Sequence, residues 1–260
     1  MQQLCRRTFL TSSAGDDMMK KIIPRERKHT MERTLQVIAR IHSDFPEKFG
    51  IPRQSGLVDE LQAEIVFEPS YRSAAALRGL EGFSHLWLIW EFSQAVRESW
   101  SPTVRPPRLG GNTRMGVFAT RSPFRPNPIG LSCVRLVGVE HTRDRGPVIR
   151  VAGADLLDGT PIYDIKPYLP YADCRPDAVG GWTGGEADAQ LEVHCAPELL
   201  TSLSLERQQA LLGVLANDPR PHYQNDPERV YGLRFAGYNV RFSVNANCLT
   251  VLSIEHESGN

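Results

Sequence analysis

The sequence predicts a mainly β protein, with an antiparallel β-barrel as the N-terminal domain and a smaller α+β C-terminal domain. Three observations support this prediction. Many short apolar stretches alternate with turn signals, only one stretch before residue 173 has a helical pattern, and a Gly-, Pro- and Asp-rich segment precedes the longest helical pattern. Because no crossover helices are available, the strands must pair antiparallel, and the sheet is expected to close or curl into a barrel.

Period-two alternation of apolar residues locates the strands of the barrel. The first strand is expected at 34–42, because every second residue from Leu35 to Ile41 is apolar. Phe83–Phe92 is apolar on both faces and is predicted to be a central strand. The other strands predicted before residue 173 are Leu61–Phe67, Met115–Thr120, Leu131–Glu140, Pro147–Val151 and Ile162–Ile165.

Helical patterns are few. Ser70 is predicted to cap a short helix through Ala74 to Arg78 that Gly79 ends. A longer helix is predicted from about Pro197 to Ala216, where leucines recur at helical spacing. The remaining C-terminal elements are a strand at Leu191–Cys195 and a hairpin formed by Tyr238–Val244 and Leu249–Ile254.

Composition excludes several classes of protein. Lys+Arg and Asp+Glu both total 30, so net charge gives no general attraction to nucleic acid. The five cysteines are odd in number and form no CxxC pair, which favours neither a zinc site nor a disulfide framework and is typical of the cytoplasm. The longest apolar run is about half the length of a membrane span, and the seven histidines show no ligand spacing. We therefore expect no membrane segment and no metal.

Arginines concentrate in one segment, 97–135. The segment contains six prolines, no lysine and a single acid, Glu98, and its seven arginines are at positions 97, 105, 108, 114, 121, 125 and 135. Guanidinium groups suit bidentate contacts with phosphate or carboxylate and stack on bases, and prolines stiffen the loops that carry them. Pairing with acids elsewhere in the fold is the alternative for any single arginine. The whole set predicts a polyanion site.

Nucleotide-binding and hydrolase motifs are missing. The sequence has no G-x-G-x-x-G after a strand, no P-loop, no H-E-x-x-H and no G-x-S-x-G. The carboxylates of interest are Asp155, Asp158 and Asp164, of which Asp158 precedes a glycine and is also explained as a turn former. A carboxylate on a predicted strand must face solvent or a polar cavity. Chemistry on a nucleotide-like cofactor would therefore have to use a non-Rossmann site.

Four long sequence words resemble the TrmO family of tRNA methyltransferases. They are KFGIPRQSGLV (48–58), LRGLEGFSHLWLIWEF (77–92), RPPRLGGNTRMGVFATRSPFRPNPIGLS (105–132) and LLDGTPIYDIKPYLPYAD (156–173), followed by the looser DPRPHY (218–223). The resemblance implies methyl transfer from S-adenosylmethionine to N6 of threonylcarbamoyladenosine, next to the anticodon of tRNA. It also implies a β-barrel cofactor site without a Rossmann sheet, a cytoplasmic homodimer and a small C-terminal domain that contacts tRNA.

Individual positions are assigned roles, the cofactor contacts from the resemblance and the catalytic and RNA-binding candidates from the chemistry of the residues. Catalytic candidates are Asn127, Asp155 and Asp164, each of which can accept a hydrogen bond or proton from the substrate nitrogen. Cofactor contacts are expected at Pro52, Arg53, Gln54, Ser93, Gln94, Arg121, Cys133, Asp155, Leu156, Leu157 and Asp158. RNA contacts are expected at Arg105, Arg108, Arg114, Arg125, Arg220, His222 and Tyr223.

The expected domain organisation follows from the same patterns. Residues 1–32 are predicted to be a disordered N-terminal extension, with a targeting peptide or a start at Met31 as alternatives. The barrel domain is expected at 33–172, a linker at 173–190 and the small domain at 191–260. Two rival functions remain: a barrel that binds S-adenosylmethionine or RNA as a sensor or adaptor, and a methyltransferase for another substrate.

Overall fold

The computed structural model describes residues 33–184, 190–220 and 226–257. The predicted extension, residues 1–32, lies outside the described residues, as do His222, Tyr223 and part of the predicted linker.

These ranges form twelve strands and three α-helices. In chain order the strands are β1 (Ala39–His42), β2 (Gln62–Phe67), β3 (His85–Glu91), β4 (Thr103–Val104), β5 (Met115–Gly116), β6 (Ile129–Thr142), β7 (Gly146–Ala152), β8 (Pro161–Pro167), β9 (Glu192–His194), β10 (Val230–Phe235), β11 (Tyr238–Asn245) and β12 (Cys248–His256). The α-helices are α1 (Pro170–Asp173), α2 (Pro197–Leu200) and α3 (Leu205–Ala216). Short 3-10 turns lie at Pro69–Tyr71, Ala74–Leu77, Leu80–Gly82, Pro107–Leu109, Val117–Ala119 and Gly181–Thr183.

Six strands form a closed barrel in the order β1-β2-β7-β6-β3-β8, and every neighbouring pair is antiparallel. The mainly β prediction is confirmed. The central position predicted for Phe83–Phe92 is also confirmed, because β3 pairs along both edges: Leu88 lies opposite Ser132 on β6 and Ile165 on β8. Closure leaves no unpaired barrel edge, which protects the fold from edge-to-edge association.

Alternation fills the barrel interior. Along β3 every second side chain is buried, and Leu86, Leu88 and Trp90 point into the core. Strands β1, β2 and β7 contribute Ile41, Ile65 and Ile149 to the same cluster, and Val134 of β6 and Ile162 of β8 also belong to it. Because side chains on a strand point alternately to opposite faces, this pattern is the physical basis of the sequence prediction.

The C-terminal elements have a core of their own. Strands β10-β11-β12-β9 form a sheet in which β9 runs parallel to β12, and Leu211 and Leu215 of α3 are fully buried in its core. Phe45 and Val58, from the segment between β1 and β2, belong to the same buried cluster. The Phe45 ring meets Phe235 edge-on at 5.5 Å between centroids. The β1–β2 segment is therefore anchored by the C-terminal sheet.

Several predicted elements differ from the observed ones. The predicted helix through Ala74–Arg78 is wrong: the region forms separate 3-10 turns, Ser73 has an extended backbone and the side chain of Ser70 caps nothing. The predicted strand Met115–Thr120 is reduced to β5, because a 3-10 turn follows in which the Thr120 hydroxyl donates to the Val117 carbonyl. The first strand starts at Ala39 instead of Thr34, because the ladder with β8 begins at Ala39.

The predicted helix Pro197–Ala216 is two helices. α2 ends at Leu200 and α3 begins at Leu205, with Ser204 as a cap that accepts a hydrogen bond from the Arg207 amide at 3.4 Å. The Gln208 side chain donates to the Leu200 and Leu203 carbonyls, at 3.1 and 3.0 Å. The Gln208 side chain thus satisfies carbonyls that the break leaves without a helical partner. The leucine spacing alone does not indicate this break. Strands β4 and β10 were not predicted.

Candidate active site

A cavity of about 600 Å³ opens at one end of the barrel. Its lining residues come from four segments that are distant in sequence: 48–54, 90–95, 120–131 and 155–160. This volume lies within the range of small-molecule sites in proteins. The walls combine the aromatic rings of Trp90 and Phe92 with the polar side chains of Arg53, Arg121 and Asp155.

Two lining loops are held together through glycine. The Gly56 amide donates to the Gly153 carbonyl at 2.9 Å, and the Gly153 amide donates to the Leu61 carbonyl at 2.8 Å. Gly153 has a φ of 76°, and a Cβ there would lie 3.4 Å from the Cα of Gly56. This close approach fixes the loop that carries Arg53 against the loop that carries Asp155.

A buried hydrogen-bond relay lies behind the cavity wall and joins two of its residues, Trp90 and Asp155. The Trp90 indole nitrogen donates to the Ser132 hydroxyl at 3.0 Å, and this hydroxyl donates to Oδ1 of Asp155 at 2.6 Å. Ser132 is 1% exposed. Gly130, one pleat away on β6, lies under the indole, because a Cβ there would come within 2.3 Å of Trp90 Cε2. The relay fixes the direction in which the Asp155 carboxyl group points.

Burial raises the pKa of Asp155 above its ordinary value of 3.8. The hydrogen bond from Ser132 and the positive charge of Arg121 oppose this effect because both stabilise the charged form. The net result is a carboxyl group that holds its proton more strongly than an exposed aspartate. Shifts of this kind, combined with a position in a cavity, are typical of functional carboxyl groups.

Arginine and glutamine form the polar wall. Arg121 donates to the Gln54 side-chain oxygen, and the Gln54 amide donates to the Arg53 carbonyl. The Arg53 guanidinium in turn donates to the Arg220 carbonyl at 3.3 Å. These bonds connect the cavity to the Asp218–Arg220 turn. The guanidinium groups are therefore supported by their neighbours before any ligand binds.

The structure brings most of the predicted site residues to this cavity. Among the predicted catalytic residues, Asn127 and Asp155 line the cavity. Among the predicted cofactor contacts, those that line it are Pro52, Arg53, Gln54, Ser93, Gln94, Arg121, Asp155 and Leu157.

Four predicted residues lie outside the lining. Leu156 is 1% exposed in the barrel core, and Cys133 lies on β6, where its amide donates to the Ser55 hydroxyl. Asp158 accepts from the Ser43 amide at 3.1 Å and lies 3.3 Å from His42, which is the behaviour of a turn residue. Asp164 pairs with Lys166 at 2.9 Å on the exposed side of β8. For these positions the side chain does not face the cavity.

Arg220, a predicted RNA contact, lies buried in the turn next to the cavity. It is 7% exposed and forms two hydrogen bonds with the Asp218 carboxylate, at 2.8 and 2.9 Å. Burial by itself would raise the pKa of Asp218, but the bonds and charge of Arg220 lower it. In this arrangement the Arg220 guanidinium holds the turn that supports Arg53, and a contact with RNA would require it to leave the Asp218 carboxylate.

The remaining predicted RNA residues lie on the arginine-rich segment. Arg125 lines the cavity and donates to the Thr120 carbonyl at 3.3 Å. Arg114 donates to the Thr103 hydroxyl at 2.9 Å across the β4–β5 hairpin. Arg105 and Arg108 are exposed on the same segment. His222 and Tyr223 lie outside the described residues.

The sequence predicts strands that contain Trp90, Phe92 and Ser132, but it does not indicate their place at or behind the cavity wall. A signal for Ser132 existed, because it occupies an inward position of β6 between Gly130 and Val134, where an unpaired hydroxyl would be costly. In the described part of the chain, no helix is long and apolar enough to cross a membrane, and no group of three or more His, Cys, Asp or Glu side chains is arranged to hold a metal ion.

Family models match both parts of the chain. The model of the tRNA-methyltransferase O (TrmO) N-terminal domain matches residues 40–174, and that of the TrmO C-terminal domain matches residues 188–257. The chain belongs to the TrmO family. The family is one of tRNA methyltransferases, so the predicted family and the predicted class of enzyme are confirmed.

Individual relatives of the TrmO family agree with this assignment. An Escherichia coli protein named "tRNA (adenine(37)-N6)-methyltransferase" is 44% identical over 223 residues, which cover 83% of this chain and 94% of that protein. A Pyrococcus abyssi protein named "Probable S-adenosyl-L-methionine-binding protein" is 38% identical over 142 residues, 55% of this chain and 71% of that protein. A crystal structure of TrmO from Pseudomonas aeruginosa is similar with a TM-score of 0.71 and 35% identity, and covers 87% of this chain and 98% of that one.

Proposed function

We propose that the protein transfers a methyl group from S-adenosylmethionine to N6 of adenosine 37 in tRNA that carries the threonylcarbamoyl modification. Membership of the TrmO family and the name of the Escherichia coli relative support adenosine 37 and N6. The name of the Pyrococcus relative supports the cofactor. The observation that carries the proposal is the cavity itself, where Arg53, Arg121 and Asp155 meet two aromatic rings.

The residues of the cavity suit the cofactor. Trp90 and Phe92, with ring centroids 4.3 Å apart, offer an apolar wall for an adenine ring. Arg53 and Arg121 offer guanidinium groups for the carboxylate of the methionine part. When bound, S-adenosylmethionine supplies a methyl group on a positively charged sulfur that is already activated for transfer. The chain therefore needs mainly to align the acceptor nitrogen, which is a contribution of orientation.

Asp155 is proposed to act on the acceptor nitrogen. Its carboxyl group faces the cavity, and the relay from Trp90 through Ser132 fixes its orientation. The raised pKa of Asp155 makes it a better proton acceptor than an ordinary aspartate. The carbamoyl substituent withdraws electrons from N6, so a group that accepts the N6 proton makes this nitrogen a better nucleophile. Asn127 is proposed to hold the nucleobase edge by hydrogen bonds from its amide.

The arginine-rich segment is proposed to engage the tRNA. Arg105, Arg108, Arg114 and Arg125 are assigned to phosphates or to the threonyl carboxylate. The target lies in a loop of tRNA, so extruding it costs less than flipping a base out of a duplex. We further propose a barrel domain at 33–172, a linker at 173–190 and a tRNA-contacting domain at 191–260, working in the cytoplasm as a homodimer.

The proposal is tested by mass spectrometry of tRNA nucleosides from a strain that lacks the gene. Loss of N6-methylated threonylcarbamoyladenosine, restored by the wild-type gene but not by Asp155→Asn, is expected. An unchanged nucleoside profile would refute the proposal. If the purified protein binds S-adenosylmethionine but no tRNA nucleoside changes, a sensor or a methyltransferase with another substrate becomes the better explanation.

A further inference from the structure

An exposed aromatic pair lies on the arginine-rich segment outside the cavity. Trp100 and Phe118 are 50% and 72% exposed, and their ring centroids are 6.0 Å apart with an angle of 32° between the planes. Beside them, the Arg97 guanidinium carbon lies 3.5 Å from the centroid of the Phe124 ring. We call Trp100, Phe118, Arg97 and Phe124 the aromatic patch. Large apolar side chains grouped on a surface are typical of an interaction site.

The patch is held in place before any partner arrives. Phe118 lies on a 3-10 turn whose first residue, Val117, is 1% exposed and donates its amide to the Pro102 carbonyl at 2.9 Å. The Trp182 indole donates to the Ala119 carbonyl of the same turn at 2.8 Å. Trp100 precedes the β4–β5 hairpin, which the Arg114–Thr103 bond closes. A fixed surface loses little conformational entropy on binding.

Residues of the patch are direct or near neighbours in sequence of residues that line the cavity. Phe118 precedes Thr120 and Arg121 by two and three residues, and both of these line the cavity. Phe124 lies between Pro123 and Arg125, which also line the cavity. Arg97, Glu98, Trp100 and Phe124 also line a cleft of about 380 Å³. The cleft therefore combines aromatic faces with polar groups that can form hydrogen bonds to the edge of a base.

We propose that the aromatic patch stacks unpaired bases of the anticodon loop that flank the methylated nucleotide. This inference rests on the proposed function, since it assumes that the cavity receives a base from a tRNA loop. Charge favours RNA as the occupant, because the segment 97–125 has six arginines and one acid. Exposed aromatic faces bind unpaired bases by stacking, and a neighbouring guanidinium strengthens the contact. When one base enters the cavity, its neighbours lie over the patch.

The test uses the full chain and a synthetic anticodon stem–loop RNA. Binding is measured at fixed salt for wild type, the double variant Trp100→Ala/Phe118→Ala, and Trp100→Phe. Tyr171→Ala is the matched control, because Tyr171 is an 85% exposed aromatic residue on α1 outside the patch and the cavity lining. We expect the double variant to lose about tenfold or more in RNA affinity, since stacking contributes about 1–3 kcal/mol per base. Trp100→Phe should retain most of the affinity and Tyr171→Ala all of it.

Two further measurements separate the possible outcomes. Affinity for S-adenosylmethionine, measured by calorimetry, should be the same in the double variant and wild type. RNA affinity of the double variant within twofold of wild type would overturn the proposal. So would conversion of the protein to a smaller assembly in light scattering, which would assign the patch to a contact between copies of the chain. If wild type binds the RNA through the patch but transfers no methyl group, the proposed function fails and the stacking surface stands.

Discussion

Gly130→Ala should damage both stability and the proposed cofactor site, because β6 has no room for a side chain under Trp90. The added Cβ would lie 2.3 Å from Cε2 and 2.4 Å from Cζ2 of the Trp90 indole, whereas ordinary contacts begin at 3.4 Å. The ring must therefore retreat by about 1 Å. Phe92, with its ring centroid 4.3 Å away, restricts that movement.

The cost of this substitution has two parts. Overpacking a filled core costs about 1–3 kcal/mol. A shift of the indole by about 1 Å also breaks the 3.0 Å bond to Ser132, which contributes about 1 kcal/mol. The expected loss is about 2–4 kcal/mol, or a decrease in Tm of roughly 4–15 °C for a protein of this size. Because Trp90 lines the cavity, affinity for S-adenosylmethionine should fall as well.

Gly138→Ala is the control for this prediction. Gly138 lies on the same strand, but a Cβ there would meet no atom within 4 Å. The assays are thermal unfolding and calorimetry with S-adenosylmethionine. If Gly130→Ala melts within 1 °C of wild type and binds the cofactor equally well, the described packing of Trp90 against β6 is wrong.

Three other substitutions test the rest of the site. Asp155→Asn should lower kcat at least 10²-fold if Asp155 accepts the N6 proton. Because the folded state favours the protonated carboxyl group, the stability of wild type should also fall as the pH rises from 3.8 through the raised pKa of Asp155. The stability of the variant should not show this dependence on pH. Arg121→Ala should weaken cofactor binding about tenfold in calorimetry. Arg220→Ala should lower the free energy of unfolding by about 2–3 kcal/mol, because it leaves the Asp218 carboxylate without its cation.

Each of these substitutions has a control in the same chain. Asp164→Asn removes an exposed carboxylate that pairs with Lys166 and should leave kcat unchanged; an equal kcat for Asp155→Asn and wild type would exclude Asp155 as the base. Arg105→Ala is the control for Arg121→Ala and should leave the affinity for S-adenosylmethionine unchanged. If Arg121→Ala also leaves this affinity unchanged, Arg121 is not a cofactor contact. Arg234→Ala breaks a more exposed pair and should lower stability less than Arg220→Ala does. A smaller loss for Arg220→Ala than for Arg234→Ala would contradict the burial argument.

Strands of the barrel were predictable because their residues carry a local signal. The alternation along Leu131–Glu140 and the apolar run Phe83–Phe92 depend only on which face of each strand meets the core. Helix boundaries failed for the opposite reason. At the break between α2 and α3 the Gln208 side chain donates a hydrogen bond to the Leu200 carbonyl. Leucine spacing does not encode this contact.

The site was predictable where its residues lie in or beside recognisable sequence words, and not where it depends on contacts between distant segments. Arg53 and Arg121 lie within the family sequence words and Asp155 directly precedes the fourth word, and the fold brings all three to one cavity. The relay through Ser132 was missed because it joins β3, β6 and the segment after β7, which are far apart in sequence. The burial of Arg220 against Asp218 was not predictable, because it follows from packing rather than from residue type.

The central claim is that the barrel cavity holds S-adenosylmethionine beside an extruded tRNA base. Its most direct test incubates purified protein with methyl-labelled S-adenosylmethionine and tRNA, with and without the threonylcarbamoyl group at adenosine 37. The account predicts that label enters the modified tRNA at N6 of adenosine 37, and that neither unmodified tRNA nor the Asp155→Asn reaction gains comparable label. No incorporation into the modified tRNA by a folded wild-type protein that binds the cofactor would contradict the account.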